Sequence, residues 1–222
     1  MVRSDPERGR HPMTDSVVFS GQSGAADHRY RRIGLLGGSF NPAHDGHRYI
    51  STEALRRLGL DEIWWMVSPQ NPLKSESGMA PYGKRLASAQ VVARHPRIRV
   101  TSIEAEMGTQ YTADTLESLV QRYPATHFVW LMGADNLLQI PRWRDWSKIF
   151  NTVPIAVFAR DSYDSKALSG IAAHRFRASR LPASAAKVLA DAALPAWVFL
   201  RIRPHPAAAT DLRQAGHWPH GS

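Results

Sequence analysis

Gly37-Gly38-Ser39-Phe40-Asn41-Pro42-Ala43-His44-Asp45-Gly46-His47 separates a short apolar run, Ile33-Gly34-Leu35-Leu36, from a segment with helical spacing. The apolar run ending in paired glycines reads as a strand entering a turn. Over 46–58, Ile50, Ala54, Leu55 and Leu58 share one stripe and Gly59 supplies a stop, so a helix follows. Two glycines let backbone approach a ligand and permit positive φ. Pro42 stiffens the loop. Gly46 and His47 open the helix, where unsatisfied N–H groups and the dipole favour a phosphate. His44 and His47, three apart across that turn, can converge on one anion. The spacing is not the dinucleotide fingerprint Gly-x-Gly-x-x-Gly, nor a P-loop, since no Gly-Lys-Ser/Thr follows. Two histidines, with no acidic partner in the right place between them, are also too few for a zinc site.

The same alternation continues along the chain. Strands are expected at 63–67, 98–103, 128–132, 155–158 and 197–202. Helices are expected at 82–94, 112–123 and 184–193, with short ones at 136–139 and 146–150 and a last turn near 210–215. Strands alternating with helices imply an α/β fold, a doubly wound parallel sheet of about six strands with helices on both faces. Ligands of such sheets sit at the carboxyl ends of the strands, at the topological switch point. The loops after Leu36, Val67, Met132 and Ile202 are therefore the places for a site. Residues 1–31 are polar, Arg-rich and without period, and read as a flexible extension; Met13 is a second candidate initiator. Residues 32–218 form the domain and 219–222 a tail.

The chain has 222 residues, 43% of them hydrophobic, with a formal net charge of +9. That length allows one sizeable core, and the charge suits an anionic ligand. Cysteine is absent, which excludes disulfides, thiolate metal sites and a cysteine nucleophile. Neither a run of about 18 apolar residues nor a secretory leader with its roughly 7–15-residue apolar core is present. The expectation is a soluble cytoplasmic protein with no membrane partner; its oligomeric state stays open, a homo-oligomer included.

Gly38-Ser39-Phe40-Asn41-Pro42-Ala43-His44-Asp45-Gly46-His47 resembles the Gly-x-Phe-x-Pro-x-His-x-Gly-His signature of the nucleotidyltransferase superfamily. Other segments resemble its nicotinate-mononucleotide adenylyltransferase branch. They are Asn71-Pro72-Leu73-Lys74, Tyr111-Thr112-Ala113-Asp114-Thr115-Leu116, and Met132-Gly133-Ala134-Asp135-Asn136 followed by Trp143 and Trp146. The likeness runs from about Arg32 to Trp218. It implies a Rossmann-like fold of nucleotidyltransferase type. It also implies a reaction in NAD biosynthesis: ATP and nicotinate mononucleotide give deamido-NAD and pyrophosphate by direct attack on the α-phosphorus.

By this resemblance His44, His47, Lys74 and Arg213 are the catalytic set, each contacting phosphates. Gly37, Gly38, Ser39, Phe40, Gly46, Gly133, Asp135 and Thr210 join His44, His47 and Arg213 around ATP. Ser39, Phe40, Lys74, Tyr111, Thr112, Trp143 and Arg144 surround nicotinate mononucleotide. Trp143 is the wall for the ring, and backbone N–H groups near Thr112 and at Arg144 read its carboxylate. Mg²⁺ is expected to arrive with ATP, held by phosphate oxygens and water, with no protein metal ligand. One departure stands out. Where the family carries Ser-Ser-Thr-x-Ile/Leu-Arg, this chain has Ala208-Ala209-Thr210-Asp211-Leu212-Arg213.

Plainer readings compete. His44 and His47 are also good candidates for helix capping, Asp135 for capping the next helix, and Lys74 for a solvated loop lysine. Trp143 is a candidate core residue; Trp64, Trp65, Trp130 and Trp197 sit in strand-like runs and belong to the core. The basic stretch His174-Arg175 with Arg177 reads as solvated. The alternative activities are a nicotinamide-mononucleotide or pantetheine-phosphate adenylyltransferase. From another class comes a non-catalytic basic nucleic-acid-binding protein, although no helix-turn-helix, zinc finger or stacking signature accompanies the charge. No nucleic-acid partner is therefore expected.

Overall fold

A computed structural model of the chain describes residues 30–69, 78–159 and 164–203. Seven strands form one parallel sheet: β1 (Arg31–Gly38), β2 (Glu62–Val67), β3 (Ile98–Thr101), β4 (Thr126–Gly133), β5 (Ile155–Ala159), β6 (Arg180–Leu181) and β7 (Trp197–Arg201). Their order is β3-β2-β1-β4-β5-β7-β6. The chain builds outward from β1 to β3, returns to lay β4 against the other side of β1, and builds the opposite way. The switch point thus lies between β1 and β4, where Leu35 is level with Trp64 on one side and Trp130 on the other.

Alternation along each strand explains the two faces. Leu35, Trp64, Met66, Phe128, Trp130 and Val157 join one buried layer. Leu36, Trp65, Val67, Leu131, Phe158 and Val198 join the other. Such strands, buried on both sides, read as continuous apolar runs. The first layer is covered by α3 (Ile103–Met107), α4 (Thr112–Arg122), α5 (Ala134–Gln139), α6 (Trp146–Thr152), α7 (Asp164–Leu168) and α8 (Ile171–Arg175). The second is covered by α1 (Asp45–Leu58), α2 (Tyr82–Val92) and a 3-10 helix, Ala183–Asp191. No helix among the described residues is long and apolar enough to cross a membrane.

Three local expectations change. The strand expected to reach residue 103 ends at Thr101, and α3 begins at Ile103. Glu104-Ala105-Glu106-Met107 are good helix formers, and Gly108 closes the turn at φ 64°. The helix expected at 184–193 is a 3-10 helix whose buried Ala186 and Leu189 lie three apart, matching three residues per turn. A seventh strand appears because Arg180–Leu181 pairs with β7; two residues carry no readable period. The turn expected at 210–215 lies outside the described residues.

Candidate active site

β1 delivers Gly37 and Gly38 to the switch point, and the backbone there is crowded from below. A Cβ on Gly37 would lie 2.4 Å from Cη2 of Trp130, so glycine is required for the indole to tuck under the loop. Phe40 then takes a positive φ of 44°, a region that costs a non-glycine residue roughly 1–2 kcal/mol. Its ring compensates by burial, at 2% exposure, and by stacking on Trp65 with centroids 5.1 Å apart. The side chain is thus turned into the core, and any ligand contact from residue 40 comes from its backbone.

α1 opens with a reciprocal cap made of histidines. His44 Nδ1 accepts from the Gly46 N–H at 3.1 Å, and His47 Nδ1 accepts from the His44 N–H at 3.2 Å. The rings stand 3.9 Å apart between centroids, and His47 also packs on Phe40 at 4.7 Å. The capping role is therefore real. It also fixes the chemistry of each ring: with Nδ1 accepting, a neutral imidazole carries its proton on Nε2. Both rings are set as Nε2–H donors, the form a phosphate oxygen accepts.

Beside this turn lies a cavity of about 510 Å³. Of the residues expected at a site, it brings together Gly37, Gly38, Ser39, Tyr111, Thr112, Trp143 and Arg144. Phe40, His44, Gly46 and His47 occupy the adjoining turn rather than the cavity wall. Gly133 and Asp135 stand at the carboxyl end of β4 and the start of α5. Lys74, Thr210 and Arg213, with Ala208 and Ala209, lie outside the described residues.

In the same cavity lining, Trp143 meets Trp130 edge to face at 6.5 Å. α4 starts at Thr112, so its first-turn N–H groups are directed out of the helix end. The Arg144 guanidinium lies 4.6 Å from the Tyr111 ring centroid and 3.6 Å from the Asp145 carboxylate. The lining thus joins a flat aromatic wall to N–H donors and a cation, a combination suited to an aromatic carboxylate. The glycine pair in the same lining suits phosphate.

Sequence reasoning missed two side chains that shape this cavity. Arg85 of α2 is buried at 1% exposure. Its guanidinium donates to the carbonyls of Ser39 and Ser68 at 2.7 Å each, Pro69 at 2.7 Å and Ala80 at 3.0 Å. One residue thereby ties the glycine loop, the end of β2 and the entry to α2. Burial draws its pKa below the ordinary value, yet a guanidinium stays charged. The second is Glu104 of α3, a cavity-lining carboxyl at 7% exposure. Burial pushes it up to about 7, against the Ser68 side-chain hydrogen bond, which lowers it. Ser68, Gln110, Asn136, Gln139 and Arg142 also line the space, as does Trp130, which belongs to the core as well. No sequence signal marked the polar ones; their shared wall is created by the crossovers.

Among the described residues no group of three or more His, Asp or Glu is placed to hold a metal ion.

The cytidylyltransferase-like family model matches residues 35–213 of the chain. The probable nicotinate-nucleotide adenylyltransferase of Parvibaculum lavamentivorans is 52% identical over 187 residues, covering 84% of this chain and 93% of that protein. Its counterpart in Erythrobacter litoralis is 52% identical over 189 residues, covering 85% of this chain and 86% of that protein. Plasmodium falciparum nicotinic acid mononucleotide adenylyltransferase, solved in complex with NaAD, has a TM-score of 0.61 at 17% identity, with 83% of each chain covered. That last likeness is one of fold.

Proposed function

The chain belongs to the cytidylyltransferase-like family, and from that membership we infer that it joins ATP to nicotinate mononucleotide, giving deamido-NAD and pyrophosphate in NAD biosynthesis. The observation that carries this reading is the cavity at the β1–β4 switch point, lined by the glycine pair, by Trp143 and by the start of α4.

The reaction is an in-line displacement at the α-phosphorus. The attacking phosphate oxygen is already an anion, so no general base is needed. The chain has to align two polyanions and offset charge as the pentacoordinate centre forms. The Nε2–H groups of His44 and His47 donate to the ATP phosphates, with His47 nearest the reacting phosphorus. A donor preorganised for transition-state charge is worth about 2.7–4 kcal/mol, against about 0.3–1 for a helix dipole at the surface. Gly37, Gly38 and Ser39 floor both substrates, with Phe40 and Gly46 holding the loop around them. Lys74, Thr210 and Arg213 add contacts to the phosphates, Arg213 as a bidentate clamp. Gly133 and Asp135 border the adenosine. Mg²⁺ enters as part of the ATP substrate, bound by its oxygens.

The nicotinate ring stacks on Trp143, beside Tyr111. Its carboxylate accepts from backbone N–H groups at Thr112 and Arg144. Such donors suit a carboxylate better than a carboxamide, whose NH₂ would face another donor. We assign the protein to the cytoplasm. Pyrophosphate release is measured with ATP and each mononucleotide in turn. Nicotinate mononucleotide should be favoured at least about tenfold, the factor given by roughly 1.4 kcal/mol. Equal rates with nicotinamide mononucleotide overturn the choice of substrate.

A further inference from the structure

Glu104 is the carboxyl lining the cavity for which the reaction above has no use. It sits at the second residue of α3, 7% exposed, with its carboxyl hydrogen-bonded by Ser68 on the same wall. No Lys, Arg or His among the described residues forms an ion pair with it. Arg142 and Arg144 line the cavity, but Arg144 is engaged by Tyr111, Asp114 and Asp145. From α2, Tyr82 and Arg85 face the same region, and Glu106 shares its helix. Among the described residues the buried Tyr82 hydroxyl finds no hydrogen-bond partner.

A buried acid without a cation costs free energy. In a cavity built for phosphates and a carboxylate it also repels what the site must bind. The arrangement makes sense when a ligand brings the missing positive charge. ATP has no fixed cation; a pyridine mononucleotide has one, the ring nitrogen bonded to ribose. We propose that Glu104 is a specificity-determining residue whose carboxylate pairs with the pyridinium of the bound mononucleotide, so that the site selects a cationic ring over a neutral one. The proposal rests on the mononucleotide being nicotinate mononucleotide, as inferred above. Pairing favours the ionised carboxyl, so binding expels a proton wherever Glu104 is partly protonated beforehand, which its position near 7 ensures at neutral pH.

The test is calorimetric titration of the full chain with two ligands: nicotinate mononucleotide, and an analogue whose uncharged pyridine is joined to ribose through carbon. An opposite charge within reach moves a carboxyl by about 1–3 pKa units; with about half of Glu104 already ionised at pH 7, the wild type should prefer the cationic ring at least about fivefold there. Glu104→Gln should bind both alike, within about twofold. Titration in two buffers of different ionisation enthalpy at pH 7 counts protons. The phosphate of the ligand itself titrates near 6, so the difference between proteins is what matters. The wild type should release about 0.4 proton more than Glu104→Gln, the excess vanishing by about pH 9. A merely structural glutamate would weaken both ligands equally and release no extra proton. Equal affinities in the wild type, or a preference that survives in Glu104→Gln, overturn the inference. The wild-type comparison stands even if the variant does not fold. A wild type that binds no nicotinate mononucleotide overturns the functional reading too; binding without ring-charge preference overturns this inference alone.

Discussion

At the scale of single residues, the two histidines of α1 each do two things, and the roles separate by nitrogen. Nδ1 caps the helix; Nε2 is the proposed phosphate donor. Asparagine is a strong N-cap but cannot reproduce that donor. His44→Asn should therefore keep the urea midpoint while lowering turnover, whereas a capping-only histidine would leave both unchanged. His47→Ala should cut turnover at least ~100-fold, as loss of a preorganised donor does; steady-state pyrophosphate release checks both. Glu104 has a stability signature of its own. Its folded value, about 7, stands above the ordinary 4.5. Its contribution is therefore complete below about pH 4.5 and is lost as pH rises through 7, a change of about 3 kcal/mol. Glu104→Gln should be more resistant to urea than the wild type at pH 8.5, the gap closing by pH 5. The glycines and histidines of the first loop were legible because their spacing is local. Arg85 and Glu104 were not. The Arg85 partner carbonyls at Ser39 and Ser68 lie 46 and 17 residues away, and no pattern in one chain announces such a meeting.

At the scale of elements, the loops around the cavity depend on one side chain of α2. Removing the Arg85 guanidinium leaves carbonyls of Ser39, Ser68, Pro69 and Ala80 without their donor. Hydrogen bonds to a charged group contribute about 1.5–3 kcal/mol each before relaxation. Arg85→Met should therefore cost roughly 3 kcal/mol or more, read from denaturant unfolding. Arg85→Lys, a compact ammonium without the planar fork, should restore only part. Long elements were legible: β1, β2, β4, β5 and β7 are apolar runs, and α1 and α4 carry clear stripes. Short ones were not. The strand was expected to reach Ile103, yet Ile103 is out of phase with Ile98 and Val100 and opens α3 instead. α7 and α8, five residues each, and the two-residue β6 are set by what they pack against. The histidine cap was legible as an alternative, yet only the structure shows that it coexists with the donor geometry.

For the whole molecule, one parallel sheet between two apolar layers gathers every strand's carboxyl end on a single rim, and the cavity opens there. Ligands that bind the folded chain alone stabilise it by mass action, about 2.7 kcal/mol at a hundredfold excess over Kd. For a chain of this size that is roughly 5–10 °C. Scanning calorimetry should show such a rise with nicotinate mononucleotide, and an unmoved transition would contradict binding at the native site. The architecture was legible because alternation of strand and helix implies it; which polar groups face the rim was not, since crossovers decide that. Trp130 belongs both to the buried layer and to the cavity wall, wedged beneath Gly37 and edge-on to Trp143. An electron-poor ring entering beside that indole pair should quench its ultraviolet emission, so the protein carries its own optical gauge of occupancy, needing no dye.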